Sequence, residues 1–190
     1  PSSLMKEKKM EAGQFETKQW IEELNIRLNK KWGKSPKGDW ILRVRTGNFY
    51  LNPHVISDRK RKAEEVEMEV KKFISAKDGV ATAFTRSEFL LRKISPTRFE
   101  QQIFKTYVPN ISGDVVMIPK PFWTEKAAFA THLTAYNYDA NVPLILAGPG
   151  IRAGVYPQNV EVIDLAPTLS FILGIVPPSG AEGRVLHEVF

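Results

Sequence analysis

The sequence contains no cysteine among its 190 residues. This absence excludes disulfide scaffolds, zinc sites built from cysteine and thiol nucleophiles. Two other features are also missing: a run of ~20 apolar residues long enough to cross a membrane, and an apolar segment near residue 1 that would indicate a secretory signal. The hydrophobic content of 43% is nevertheless sufficient for a substantial core. We therefore expect a globular chain that contributes no membrane span.

The second half of the chain lacks the excess of positive charge that gives the protein its formal net charge of +6. Residues 1–95 carry 21 Lys+Arg against 13 Asp+Glu, whereas residues 96–190 carry 6 against 8. The densest basic run, residues 57–72, alternates with glutamates as a solvated helix face does, and no aromatic residues are interleaved to stack on bases. We therefore expect no nucleic acid as a specific partner.

Periodicity in the first half predicts alternating helices and strands. Apolar residues at spacings of three and four predict a helix over residues 15–32, which Gly33 can terminate. Alternating apolar residues on both sides of Thr46, Gly47 and Asn48 predict a β-hairpin. A second helix is predicted from Ser57 to residue 76, followed by a strand over residues 79–85.

Local signals in the remainder of the chain also predict where helices and strands begin and end. Thr85 and Glu88 have the spacing of a capping box, and Ser95-Pro96 predicts the start of a helix that runs to about residue 107. The nearly continuous apolar runs at residues 113–119 and 141–148 predict strands that are buried on both faces. Asp164 is placed to cap a final helix that ends at Gly174.

These segments predict an α/β fold. We expect residues 1–112 to form a small mixed α/β subdomain containing a helix, a hairpin, a second helix and a strand. Residues 113–190 would then supply the C-terminal segment of a larger layered core.

Three histidines are the candidate metal ligands of the sequence: His54, His132 and His187. His54 and His187 have no second histidine or carboxylate at ligand spacing, so we expect both on the surface. His132 lies in a long polar loop that leads into an apolar run, and open α/β sheets bind ligands beyond the carboxyl ends of their strands. Neutral imidazole is a suitable zinc ligand, although an ordinary loop histidine explains the same pattern.

Several short segments around His132 together resemble a known family. Residues 131–132, 138–139, 142–145 and 148–151 resemble the C-terminal metal-binding segment of the alkaline phosphatase superfamily. The most similar branch contains the bacterial alkaline phosphatases and the type I phosphodiesterases/nucleotide pyrophosphatases. Matches at residues 79–80, 84–86, 113–115, 162–169 and 173–175 extend the resemblance over most of residues 40–186. One departure is that Leu133 and Thr134 follow the histidine, where the family commonly has Gly and Ser.

The resemblance implies part of a three-layer αβα core and a two-zinc hydrolase of phosphate esters in which His132 is one zinc ligand. In that family a threonine or serine attacks the phosphate while the metal ions stabilise the attacking and leaving oxygens. The family's nucleophile and remaining ligands come from segments upstream, so we expect no catalytic residue in this chain and no activity of the chain alone. It also implies that the missing N-terminal part of the same protein is the partner, and that the location is periplasmic or otherwise extracytoplasmic.

Alternative interpretations remain open for the function of the protein and for the roles of individual residues. A sulfatase-like member of the same superfamily would share the resemblance, and a non-catalytic α/β binding domain could keep the fold after losing the chemistry. Thr131 is best explained as a polar loop residue rather than a nucleophile. Tyr136, Asn137 and Asp139 are the nearby candidates for orienting His132.

Overall fold

The computed structural model describes residues 2–91, 97–126, 128, 132 and 134–190. They divide into two compact units, Pro1–Ala140 and Asn141–Phe190. In chain order the first unit contains α1 (Ser2–Glu7), β1 (Gly13–Phe15), α2 (Thr17–Trp32), β2 (Ile41–Arg45), β3 (Asn48–Leu51), α3 (Pro53–Asp58), α4 (Ala63–Ser75), β4 (Val80–Thr85), α5 (Arg86–Leu90), α6 (Arg98–Thr106), β5 (Val115–Pro119), β6 (Trp123–Glu125) and α7 (Asn137–Ala140). The second contains α8 (Leu165–Leu173) and two 3-10 turns, Val162–Asp164 and His187–Val189.

A four-stranded antiparallel sheet is the centre of the first unit, with strand order β2-β3-β5-β4. Helices α2 and α4 pack on it, and their apolar stripes supply Leu24, Leu28, Val66, Val70 and Ile74, all with no exposed surface. Strand β5 therefore joins this sheet as its third strand, and the compact unit extends to Ala140. The division into a subdomain of residues 1–112 and a core segment of residues 113–190 concerns the fold of the complete protein and stays a prediction.

A separate two-stranded parallel sheet pairs β1 with β6. The carboxylate of Glu125, at the end of β6, accepts hydrogen bonds from the backbone N–H and the hydroxyl of Thr17 at 3.0 and 2.9 Å. The Trp123 indole lies so close to Gly79 that a Cβ there would come within 2.1 Å of the ring. Glycine at position 79 therefore creates the space that the indole fills.

Helix α2 and the hairpin agree with the sequence-based predictions. Helix α2 ends at Gly33, whose N–H donates to the carbonyl of Asn29 at 2.9 Å. Strands β2 and β3 are joined by Thr46 and Gly47, which both have positive φ, as a two-residue hairpin turn requires. Strands β4 and β5 are also confirmed.

The helix predicted from Ser57 to residue 76 is instead two helices, α3 and α4. Asn52 accepts hydrogen bonds from the N–H groups of His54 and Val55, and Pro53 occupies the first turn, so α3 begins there. Lys60 has a φ of 51°, which ends the first helix before α4 starts at Ala63. The prediction missed α3 because it followed apolar periodicity and gave no weight to the Asn-Pro start signal.

The predicted capping box at α5 is confirmed. The Thr85 hydroxyl accepts from the Glu88 N–H at 3.1 Å, and the Glu88 carboxylate accepts from the Thr85 N–H at 2.8 Å. The predicted helix start at Ser95-Pro96 lies outside the described residues. The described part of α6 begins at Arg98 and has Thr97 as its N-cap, which accepts from the Glu100 N–H at 3.3 Å.

The second unit differs from its prediction in two respects. Residues 141–148 form no strand and are almost entirely exposed, so the prediction of a buried strand was wrong for this chain. The reason is physical: an apolar segment forms a buried strand only beside partner strands, and none pairs with it among the described residues. Asp164 does precede α8, but its carboxylate accepts from the N–H groups of Glu161 and Arg184 at 2.9 Å rather than capping that helix.

Helix α8 ends as predicted, at Gly174 with a φ of 65°. Its Thr168 is fully buried: the hydroxyl donates to the Asp164 carbonyl and accepts from the Leu186 N–H. The helix is thereby linked to the final segment of its own unit. In the part of the chain that the structure describes, no helix has the length and apolarity needed to span a membrane.

Candidate metal-binding loop

His132 lies in the first unit, in the segment that connects β6 to α7, and its side chain is exposed. Residues 129–131 and 133 lie outside the described residues, so the prediction for Thr131 does too. The other histidines, His54 in α3 and His187 in the last 3-10 turn, are exposed as predicted. The ring of His187 packs edge-on against Phe171 at 5.1 Å.

The segment after His132 is closed by a clamp between Thr134 and Asp139. One carboxylate oxygen of Asp139 accepts hydrogen bonds from the Thr134 N–H at 3.2 Å and from its hydroxyl at 2.5 Å. The single helical turn α7 adds backbone bonds from Asp139 and Ala140 to the Tyr136 carbonyl, both at 2.9 Å. This oxygen of Asp139 is therefore engaged in shaping the loop, and which group orients His132 stays a prediction.

Two tyrosines anchor the same segment to the ends of strands. The Tyr136 hydroxyl donates to the Pro119 carbonyl at the end of β5, at 2.8 Å. The Phe122 N–H, just before β6, donates to the Tyr138 hydroxyl at 3.1 Å. Burial raises the pKa of the Tyr136 phenol, with the neighbouring Tyr138 as a second cause, so Tyr136 stays a neutral donor at physiological pH.

The tyrosine rings also contribute to a row of four aromatic side chains. The ring centroids are separated by 5.0 Å between Phe99 and Tyr136, 5.7 Å between Tyr136 and Tyr138, and 4.7 Å between Tyr138 and Phe122. Phe99, at one end of the row, and Ala135 also pack against an apolar cluster formed by buried Phe84, Phe89 and Ile103. The loop that carries His132 is therefore continuous with a core of the first unit.

The described residues contain no group of three His, Cys, Asp or Glu side chains that could hold a metal ion together. His132 could therefore act only as one ligand of a site whose other donors come from elsewhere. Asp114 and Asp164 both have structural roles. Asp114 accepts from the Leu51 N–H at 2.8 Å and forms an ion pair with Arg86 at 3.7 Å.

A separate groove of about 610 Å³ lies beside β1 and β6, and His132 does not line it. Its walls include Trp20, Trp123 and the lysines Lys77 and Lys126. Lys77 forms an ion pair with Glu23, and Lys126 pairs with Glu16 at 3.4 Å. Two of the three lysines that line the groove, Lys77 and Lys126, therefore have carboxylate partners, and the third is Lys6.

Comparison with known proteins shows which family this chain resembles. No family model matches the chain. An alkaline phosphatase, PafA, from Elizabethkingia meningoseptica is 28% identical over 187 residues, which is 97% of this chain and 33% of that protein. A crystal structure of alkaline phosphatase PafA superimposes with a TM-score of 0.86 and 27% identity, covering 99% of this chain and 35% of that one. The chain belongs to the alkaline phosphatase superfamily.

Other relatives extend the family context. A Myroides odoratus protein named as a calcium-transporting ATPase is 28% identical over 96% of this chain and 33% of its own length. Human arylsulfatase K is 40% identical over 55 residues, 28% of this chain and 10% of that protein. The chain spans about a third of the length of the curated relatives that match nearly all of it. Both the predicted superfamily and the predicted partial alkaline-phosphatase-like α/β fold are confirmed.

The tyrosine anchors of this loop were only partly predictable from the sequence. Tyr136 and Asp139 were candidates for orienting His132, but their observed partners are Pro119, at a separation of 17 residues, and Thr134. The spacing of Phe99, Phe122, Tyr136 and Tyr138 has no helical or strand period that would predict their stacking. The one available signal was the unusual concentration of aromatic residues around the histidine.

Proposed function

We propose that this chain is the C-terminal third of a metal-dependent phosphoesterase and that His132 supplies one zinc ligand. The observation that carries the proposal is the similarity to an alkaline phosphatase along nearly the whole chain, including the loop of His132. The exposure of His132 supports it, because a ligand to a shared metal must be accessible to the other donors. Hydrolysis of phosphomonoesters or phosphodiesters is the activity proposed for the complete protein.

The residues of this chain suit that role through charge state and rigidity. Neutral imidazole binds Zn²⁺ at about 2.0–2.1 Å. Two zinc ions, when bound, would stabilise the attacking and leaving oxygens of a phosphate ester. Thr134, Asp139 and Tyr136 hold the loop in place through the hydrogen bonds described above, which lowers the cost of presenting the imidazole. The nucleophile, a threonine or serine, and the other ligands are proposed to lie in the remaining part of the protein, so that this chain alone is inactive.

The second unit supports an association with that remaining part. Its apolar side chains include Ile145, Val155 and Val176, which are 85%, 96% and 88% exposed in this chain. Burial of such side chains typically contributes about 1.5–3 kcal/mol each. We propose that the rest of the same polypeptide covers them, and that the complete protein acts outside the cytoplasm, as the resemblance implies.

The test uses the complete polypeptide and compares His132→Ala with His54→Ala. We expect His132→Ala to weaken zinc binding at least about a hundredfold and to abolish hydrolysis of p-nitrophenyl phosphate, since loss of a direct ligand should exceed the 10–100-fold effect of outer-shell changes. His54→Ala, which removes another exposed imidazole, in α3, should leave zinc content and hydrolysis unchanged. Full zinc content and full activity in His132→Ala would overturn the assignment.

A sulfatase-like activity is the second candidate, because a 55-residue segment matches human arylsulfatase K. The two activities are separated by offering p-nitrophenyl phosphate and p-nitrophenyl sulfate to the complete protein. Preferential hydrolysis of the phosphate supports the phosphoesterase. Preferential hydrolysis of the sulfate supports the alternative, and hydrolysis of neither without zinc binding supports a non-catalytic binding domain.

A further inference from the structure

Two segments of the first unit that are distant in sequence lie side by side: the loop after α2 and the turn between α3 and α4. The Ser35 hydroxyl in the loop donates to the Asp58 carboxylate at the end of α3, at 2.6 Å. The Arg59 guanidinium in the turn lies beside Gly33, where a Cβ would come within 3.4 Å of it. The cationic side chains of both segments therefore share one surface.

This surface carries most of the unpaired positive charge near α2 and α4. Residues 30–39 and 58–62 contain 8 Lys+Arg against 2 Asp, an excess that equals the formal net charge of the whole chain, +6. Two of these cations are paired, Lys31 with Glu69 and Arg59 with Asp58. The others are exposed and have no ion-pair partner among the described residues. We call these six residues the basic surface: Lys30, Lys34, Lys37, Lys60, Arg61 and Lys62.

The fold separates charges that alternate in the sequence. The run at residues 57–72 contains four glutamates, which suggested an evenly mixed, solvated helix face. Two of them are buried instead: Glu67 is 2% exposed and accepts hydrogen bonds from Ser87, and Glu69 is 8% exposed and accepts from Arg27. These two carboxylates therefore do not offset the cations of the turn before α4.

The composition of the basic surface favours a lipid bilayer over a nucleic acid. Five of its six residues are lysines, flexible point charges that are attracted to any dense array of anions without a fixed geometry. Nucleic-acid recognition uses arginine forks and exposed rings for stacking, whereas Trp32, the one aromatic residue of these segments, packs on buried Trp40 with ring centroids 5.5 Å apart. Clusters of about 4–8 Lys/Arg are typical of surfaces that bind anionic headgroups.

We propose that the basic surface docks the complete protein on a lipid bilayer that contains anionic headgroups. The contact is peripheral and electrostatic, so it acts only within a Debye length, about 10 Å at 0.1 M salt. It involves neither His132 nor the loop around it. The inference therefore goes beyond the proposed hydrolysis and does not depend on it.

Cosedimentation with vesicles tests the proposal on the complete polypeptide. The two bilayers are phosphatidylcholine alone and phosphatidylcholine with about 30% phosphatidylglycerol as the anionic lipid. We expect binding only to the anionic vesicles, and we expect it to disappear as the salt concentration rises from about 0.05 to 0.5 M.

Two triple variants remove charge from the two segments separately. Because each Lys or Arg near an anionic surface contributes a factor of about five, loss of three should weaken binding about a hundredfold. The same loss is expected from either variant, so a local folding defect in one of them does not decide the test. The first combines Lys60→Gln, Arg61→Gln and Lys62→Gln, and the second combines Lys30→Gln, Lys34→Gln and Lys37→Gln.

A third triple variant, Lys8→Gln with Lys9→Gln and Lys18→Gln, is the matched control. It removes the same charge from exposed lysines, and Lys18 lies about 18 Å from Lys30 along α2. Its affinity for the anionic vesicles should stay within about threefold of wild type, since these charges lie beyond a Debye length from the docked surface.

Three results overturn the proposal: no binding of the complete polypeptide to anionic vesicles, an equal loss of affinity in the control, and tighter binding to double-stranded DNA than to the vesicles. An equal loss in the control means that net charge, rather than the basic surface, drives the association. The measurement requires no hydrolysis, so failure of the proposed phosphoesterase activity leaves this test intact.

Discussion

At the scale of single residues, two glutamates of α4 show how position sets opposite electrostatic behaviour. Glu67 is only 2% exposed, and burial raises its pKa although the hydroxyl and the N–H of Ser87 both donate to one of its oxygens. Asp114 and Glu64 add to the rise through repulsion. Glu69 instead has a lowered pKa, because Lys31 and then Arg27 donate to its carboxylate.

We predict that Glu67→Gln makes the first unit more stable relative to wild type as the pH rises. The folded-state pKa of Glu67 lies above the ordinary glutamate value of 4.5, so its stabilising contribution is complete below about pH 4.5 and is lost as the pH rises through the folded-state pKa. Glutamine can still accept both bonds from Ser87 and carries no charge. Denaturant unfolding between pH 4 and 8 measures this, and tryptophan fluorescence reports the first unit because it contains all 4 tryptophans.

Glu69→Gln is the matched control and should show the opposite slope. The pKa of Glu69 is lowered in the folded state, so its contribution is present above pH 4.5 and is lost as the pH falls through the folded-state value. Replacing it should therefore cost stability at pH 7 and little at low pH. Parallel pH profiles for both variants would contradict the assignment of opposite pKa directions.

Single residues also limit what the sequence could predict about the site. His132 was identified because the residues close to it in the sequence resemble a family motif. Tyr138 and Phe122, in contrast, come together through a hydrogen bond and a ring contact across 16 residues. A contact of this kind depends on the path of β6 and the loop after it, which no local pattern encodes.

At the scale of elements, local signals predicted local structure and failed where distant partners decide. The capping box of α5 is complete because its two hydrogen bonds join residues three apart. Gly33 and Gly174 likewise end their helices through backbone preferences of one residue. The run at residues 141–148 has the composition of a buried strand, but a strand needs neighbours, and its side chains are exposed here.

We predict that Thr85→Ala destabilises the first unit by about 1–2 kcal/mol, the upper part of the range for loss of an N-cap. Thr85 is buried, and its removal leaves the Glu88 N–H without its acceptor. Thr97→Ala is the matched control, because Thr97 caps α6 from an exposed position with a longer bond of 3.3 Å, and about 0.5 kcal/mol is expected. Equal losses in denaturant unfolding would mean that burial of the cap has no effect.

At the scale of the whole molecule, the two units differ in how much of their apolar surface is covered. The first has a core built from α2, α4 and the four-stranded sheet, with Trp40 and Phe49 fully buried. In the second, residues 141–150 have no backbone N–H donor with a partner among the described residues, and Val142, Ile145 and Ile175 are exposed. Its fold therefore provides few of the contacts that protect a backbone from solvent.

Hydrogen exchange should consequently distinguish this chain from the complete protein in residues 141–150. In the chain alone these amides have no hydrogen-bond partner among the residues that the structure describes, so they should exchange at nearly the rate of an unfolded peptide. In the complete polypeptide, contact with the remaining two thirds should slow them by more than about a hundredfold, whereas the amides of α4 should be protected in both samples. Equally fast exchange of residues 141–150 in both samples would mean that the exposed apolar segment is not the surface on which the rest of the polypeptide packs.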